Sequence, residues 1–204
     1  MTDALPDPSP DDLVADALAD DGWAVTPGFL SAPEAAALLA EGLADRDAFH
    51  RAGVGRGAGH RAAAAVRSDD VRWIDAGTAA PAQRAYLDRM DALRAALNQA
   101  LYLGLVGYEA HVAVYAPGAS YGRHLDAFPG GGTRRTLSCV LYLNDAWADA
   151  DGGHLRLYLD AGRSVDVRPE AGTLVTFLSE RFEHEVLPAR RERASVTGWF
   201  SARA

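Results

Sequence analysis

The chain has 204 residues, 49% of them hydrophobic and 24% charged, which is enough apolar material for one domain with a sizeable core. A formal net charge of -8 argues against a protein that grips nucleic acid by neutralising phosphates, and no apolar run approaches the roughly 18 residues a membrane span needs. One cysteine, Cys139, rules out an intramolecular disulfide, and an acidic, proline-rich N-terminus without basic or apolar signal regions predicts a cytoplasmic protein. All 20 basic residues are arginine, which reflects coding bias rather than function.

Residues 1–10 read as disordered. Leu13, Val14, Ala17 and Leu18 have helical spacing and predict a helix over Asp11–Asp21, closed by Gly22. Trp23–Leu30 reads as a short strand. Ser31 and Glu34 form a capping box that opens a second helix running to about Ala48. In residues 49–66, glycines alternate with Arg51, Arg56 and Arg61, which predicts a loop or loose hairpin. That stretch lacks the Lys-Ser/Thr ending of a phosphate cradle. Val71–Ile74 reads as a strand. Ala82–Leu103 carries Tyr86, Met90, Leu93, Leu97 and Leu101 in one stripe and is the clearest helix.

Beyond Gly107 the pattern becomes short and alternating. Strands are expected at Glu109–Tyr115, Arg135–Asn144, His154–Tyr158, Ser164–Val167, Thr173–Phe177, His184–Pro188 and Arg193–Phe200. Between them lie turn signals at Pro117-Gly118, Pro129 to Gly132, Gly152-Gly153, Ala161-Gly162 and Pro169 to Gly172. This predicts a mainly β fold: a jelly-roll core (a double-stranded β-helix) buttressed by about three N-terminal helices. The expected organisation is a single catalytic domain over residues 1–204. Residues 1–105 would supply helices, short strands and a mobile loop, and residues 106–204 the core.

His124 and Asp126 are separated by one residue, so an extended backbone points both to one face, where an imidazole and a carboxylate can share a metal. His184, in a distant strand-like segment, can complete a face of three ligands. Two histidines and one carboxylate leave open positions for a chelating oxo acid and dioxygen. Arg193, in a neighbouring strand segment, offers a guanidinium that binds a carboxylate through two parallel bonds. His50, His60, His111 and His154 read as structural, Cys139 as a buried inert thiol, and Arg67 with Asp69 as either a surface ion pair or part of a site.

Several motifs occur together in one order: Tyr115-Ala116-Pro117-Gly118, Tyr121-Gly122-Arg123-His124-Leu125-Asp126, Leu141-Tyr142-Leu143-Asn144, Gly152-Gly153-His154-Leu155, His184-Glu185-Val186-Leu187-Pro188, and Arg193 through Trp199. Over Val112–Phe200 the chain resembles the prolyl hydroxylases of the 2-oxoglutarate oxygenase superfamily, most of all the hypoxia-inducible-factor type and its bacterial relatives. A weaker match at Val66 to Asp70 and Trp73-Ile74 extends the resemblance over most of the chain.

The resemblance implies an Fe(II)- and 2-oxoglutarate-dependent dioxygenase that uses O2, with ascorbate as an auxiliary reductant. It would hydroxylate a prolyl residue in a protein or peptide and convert 2-oxoglutarate to succinate and CO2. It implies His124, Asp126 and His184 as iron ligands and Arg193, Tyr142, Tyr115 and Thr197 around 2-oxoglutarate. Tyr121 and Trp199 would flank the target ring, and Arg67, Asp69, Trp73 and Arg135 would line the mouth. Two departures, a Tyr115–His124 segment one residue shorter than in the animal enzymes and an Arg193-Ala194-Ser195 motif closer to the wider superfamily, bear on the substrate. The same chemistry on a free amino acid or other small molecule, or a non-catalytic jelly-roll binding module, remain open alternatives. No nucleic-acid or membrane partner is expected, and the oligomeric state is open, a monomer being compatible.

Overall fold

The computed structural model describes residues 9–53, 67–127 and 133–203. Three helices, α1 (Pro10–Asp20), α2 (Ala32–Leu43) and α3 (Pro81–Leu101), pack beside two antiparallel sheets. The strands are β1 (Trp23–Thr26), β2 (His50–Arg51), β3 (Asp70–Trp73), β4 (Leu105–Tyr115), β5 (Tyr121–His124), β6 (Thr133–Tyr142), β7 (Leu155–Tyr158), β8 (Ser164–Val167), β9 (Leu174–Leu178), β10 (His184–Val186) and β11 (Arg193–Arg203). The major sheet runs β1-β9-β6-β11-β4-β3-β2 and the minor sheet β5-β10-β7-β8. Facing each other, they form the expected jelly roll.

Local chemistry fixes the helix ends. The Glu34 carboxylate accepts from the Ser31 N–H (2.8 Å) and hydroxyl (2.6 Å). Asp12 does the same for the Ser9 N–H (3.0 Å). Ser9 and Pro10, expected to be disordered, therefore start α1; the rest of that expectation lies outside the described residues. Glu41 of α2 accepts from the free N–H groups of Ala82 and Gln83, both at 3.0 Å, so α2 caps the start of α3.

The second helix ends at Leu43 rather than near Ala48, because Asp45 accepts from Ala48 N and closes a separate 3-10 turn over Arg46–Ala48. The first strand stops at Thr26 because Pro27-Gly28 turns the chain, with Gly28 at φ 69°. Within the expected glycine-rich loop, His50–Arg51 pairs with Val71–Asp70, and residues 54–66, with His60, lie outside the described residues. The Pro129 to Gly132 turn lies outside them too.

The central strands β9 and β11 of the major sheet are buried on both faces along most of their length, which explains their near-continuous apolar runs. Along β11, period-two alternation sends Ala194, Val196 and Phe200 toward the helices, where they meet Met90, Leu93, Leu97 and Leu38. The alternate residues Arg193, Ser195, Thr197 and Trp199 face the barrel. Strand β4 divides likewise, Ala110, Val112 and Val114 against the helices and Ala113 and Tyr115 inside. Full burial of each helix-facing leucine contributes about 1.5–3 kcal/mol, so the α3 stripe clamps the sheet whose other face builds the site.

Candidate metal and 2-oxo acid site

Strand β10 pairs with β5 so that His184 lies directly opposite His124. Residues opposite each other on antiparallel strands share a face, and the two imidazoles sit 4.2 Å apart, centroid to centroid. His124 Nδ1 lies 2.8 Å from Gly122 O, and His184 Nδ1 lies 3.3 Å from Phe182 O. A carbonyl only accepts, so Nδ1 carries the proton on each ring and the Nε2 lone pair stays free for a metal. Both Nε2 atoms point at Asp126: His124 Nε2 is 3.5 Å from Oδ1 and His184 Nε2 is 3.6 Å from Oδ2. One donor atom from each of the three residues falls within 4.8 Å of the others.

The aspartate is anchored from the opposite sheet. Asp126 Oδ2 accepts from Ser138 Oγ of β6 and from Trp199 Nε1 of β11, both at 2.8 Å, and Ser138 in turn shares a 2.9 Å bond with Ser179. Burial alone would raise the Asp126 pKa. At the acid pH where this carboxylate would titrate, the charge of protonated His184 and His124, with the indole bond, outweighs burial and holds it ionised, well below its usual range. Burial lowers His184 to about 4 despite the pull of Asp126, so its imidazole is neutral. Two imidazole nitrogens and one ionised carboxylate make a donor set for a divalent transition metal. Tyr121 stacks on His124 at 3.6 Å and 15°, and the Arg67 guanidinium lies 4.6 Å above Tyr121, so a cation–aromatic–imidazole stack braces this ligand.

A cleft of about 310 Å³ opens onto these ligands. Its walls gather most of the residues singled out in the sequence: Arg67, Trp73, Tyr115, Tyr121, His124, Asp126, Arg135, His184, Arg193, Thr197 and Trp199. Two of them stand behind the wall. Asp69, fully buried, takes the Arg67 guanidinium in two bonds of 2.7 and 2.9 Å. This decides against the surface-pair reading: Asp69 is buried, and Arg67, bridged to Tyr121, lines the cleft. Tyr142, also fully buried, lies under Arg193, its ring centre 5.2 Å from the guanidinium carbon.

Arg193, 1% exposed, gives Nε to Gly153 O (2.9 Å) and Nη1 to Ser195 Oγ (3.3 Å), with the Tyr115 ring 5.0 Å away. Its Nη2 and the Tyr142 hydroxyl are buried and lack partners. Burial, partly countered by Arg193, pushes the Tyr142 hydroxyl up to about 12, so it is protonated and able to donate. Two unmatched donors beside one another in a buried pocket suit a carboxylate, the far end of a dicarboxylic 2-oxo acid. The site thus fits both groups that the sequence pattern implied, Fe(II) and 2-oxoglutarate.

Sequence reasoning passed over Ser138, Ser179 and His111. A serine or histidine inside an apolar strand carries no signal of what it faces. His111, read as structural, is 2% exposed, lines the cleft and has no partner for either ring nitrogen. Trp199 proves to hold Asp126 as well as to wall the cleft. Cys139 is buried, as read, with burial pushing its thiol up.

Residues 110–201 match the 2OG-Fe(II) oxygenase superfamily. A crystal structure of a Pseudomonas putida prolyl-4-hydroxylase is 45% identical, with 94% of this chain and 98% of that one covered and a TM-score of 0.84. A Trichoplax adhaerens prolyl hydroxylase, solved with a peptide fragment of the hypoxia-inducible-factor oxygen degradation domain, is 27% identical over 93% of this chain and 88% of that one (TM-score 0.82). The hypoxia-inducible factor prolyl hydroxylase of Caenorhabditis elegans is 33% identical over 144 residues, which are 66% of this chain and 20% of that protein. The chain thus spans about a fifth of that curated relative. It belongs to the 2-oxoglutarate- and Fe(II)-dependent oxygenase superfamily, and within it to the prolyl hydroxylase family. Among the described residues no helix is long and apolar enough to cross a membrane.

Proposed function

We propose that this chain acts as one catalytic domain that hydroxylates a prolyl residue of a protein or peptide, using Fe(II), 2-oxoglutarate and dioxygen. The observation that carries this reading is that Arg193, whose Nη2 is an unmatched buried donor next to the unmatched Tyr142 hydroxyl, lines the same cleft as a converging His124–Asp126–His184 face. The kinship with prolyl hydroxylases supplies the substrate class.

His124 and His184 would hold iron through Nε2, and Asp126 through its carboxylate, with Trp199 and Ser138 fixing that carboxylate's rotation. Arg193 and Tyr142 would take the side-chain carboxylate of 2-oxoglutarate. Thr197 lies on the same wall, and Tyr115 covers the guanidinium and keeps water from it. When bound, these groups supply an oxidation in which one oxygen atom of O2 enters succinate, CO2 leaves, and the other converts a prolyl C–H to C–OH. Tyr121 and Trp199 shape the space for the ring. Trp73, 47% exposed, together with Arg67 and Arg135 gives the mouth a surface on which an extended chain can lie.

The test is to incubate the protein with Fe(II), 2-oxoglutarate, ascorbate and host-cell lysate, map prolines that gain one oxygen by mass spectrometry, and measure succinate in parallel. The expected result is hydroxyproline matched by succinate, abolished in Asp126→Ala. Succinate without any modified proline would refute the substrate; an unimpaired Asp126→Ala would refute the ligand set.

A further inference from the structure

We infer that His111 is a substrate-specificity residue: its imidazole hydrogen-bonds a main-chain amide group next to the target proline, which restricts the cleft to amide-bonded proline and excludes the free amino acid. This deepens the prolyl hydroxylase reading above and rests on it.

His111 sits midway along β4, in register with Thr197 on one neighbouring strand and Trp73 on the other. The ring is wedged between the Trp73 ring, 5.0 Å away and edge-on, and the Trp199 ring at 5.4 Å. It is 2% exposed, and neither nitrogen has a partner. Burial, helped by the repulsion of Arg67 and Arg135, lowers its pKa to about 3, so the ring is neutral and offers one donor and one acceptor. Asp126 is tied off by Ser138 and Trp199 and Asp69 by Arg67, while the unmatched Arg193 Nη2 and Tyr142 hydroxyl are left to the 2-oxo acid. An imidazole left open on the wall of a cleft takes its partner from what enters the cleft.

The charges around it say what that partner is. Arg67 is held by Asp69 in two bonds, and Arg135 by Glu109 at 2.7 Å. Arg193 is given to 2-oxoglutarate. Among the described lining residues, the carboxylate of free proline would find no other unmatched guanidinium, and its ammonium would find Asp69 and Glu109 already paired. The groups flanking a proline within a chain are neutral amides. A neutral ring carrying both a donor and an acceptor matches an amide, and it carries no charge to bind either end of a free amino acid.

The experiment compares wild type, His111→Met and His111→Gln with Fe(II) and 2-oxoglutarate on a library of acetylated, amidated peptides with a central proline, and on free L-proline. Wild type should convert members of the library and leave L-proline untouched. For the best of those peptides, His111→Met should raise KM and the anaerobic Kd roughly five- to tenfold, the loss of about one neutral hydrogen bond, while kcat and 2-oxoglutarate affinity stay within about twofold. His111→Gln, which keeps a donor and an acceptor, should recover most of the affinity. A wild-type peptide KM in His111→Met, an equal loss in both variants, or a rise in the KM for 2-oxoglutarate alone would overturn this inference and leave the prolyl reading intact. Conversion of L-proline but no blocked peptide would overturn both.

Discussion

Replacing Trp199 by Phe separates two roles for that residue. The phenyl ring keeps the aromatic wall against Arg135, whose guanidinium carbon lies 3.6 Å from the indole ring, and against His111. What it removes is the 2.8 Å bond from Nε1 to Asp126 Oδ2. A hydrogen bond to a buried charge contributes about 1.5–3 kcal/mol, and Ser138 still holds the same oxygen, so the lower half of that range applies. At about 1.4 kcal/mol per factor of ten, Fe(II) affinity should fall roughly ten- to fortyfold. Anaerobic titration of Fe(II) against a competing chelator measures this directly, and a melting curve checks that the fold survives. If Trp199 only flanked the substrate, the metal constant would stay put and the peptide KM would move instead. An iron Kd within about twofold of wild type would refute the anchoring role. Ser138→Ala should act in the same direction, and the double variant should fall short of the sum, because both donors serve one oxygen.

Three other expectations follow from the same geometry. Arg193→Lys loses the planar fork and the bond to Gly153 O, and should raise the KM for 2-oxoglutarate by roughly ten- to a hundredfold with little change in iron affinity, read by steady-state kinetics. Asp69→Ala strands a guanidinium that is only 14% exposed and should cost about 3 kcal/mol or more in urea unfolding, more than a surface pair would. His111 has a folded pKa below its unfolded value of 6.5, so its stabilising contribution is whole above that pH and declines as pH falls toward about 3. Between pH 7.5 and 5 this amounts to roughly 2 kcal/mol, and denaturant unfolding of His111→Met should show a shallower acid slope.

The parts of the fold that the chain announces locally were legible: the Ser31–Glu34 box, the α3 stripe, and the alternation and turns that bound β7, β8 and β11. Strand β5 was harder to see. Tyr121-Gly122-Arg123-His124 has no apolar alternation, and it is a strand because β10 pairs with it at the edge of the minor sheet. Of the site, His124 and Asp126 were legible through their spacing, and His184 and Arg193 through the family pattern. What a residue lacks is invisible in a sequence: nothing in Glu109-Ala110-His111-Val112 says that both ring nitrogens go unmatched. Nor does Ser138, flanked by Leu137 and Cys139, reveal that it faces an aspartate, because the partner arrives only when β6 and β5 are folded against each other.

The ligand cluster also bridges the two halves of the barrel. Its imidazoles belong to β5 and β10 of the minor sheet, while the carboxylate between them is tied to β6 and β11 of the major one. An ion held there would work as a rivet through both plates. Loading it and keeping the plates together would then be one equilibrium, so chelation should lower the melting temperature and quicken amide exchange at the β5–β10 edge first, leaving the helix-backed side of the barrel comparatively tight.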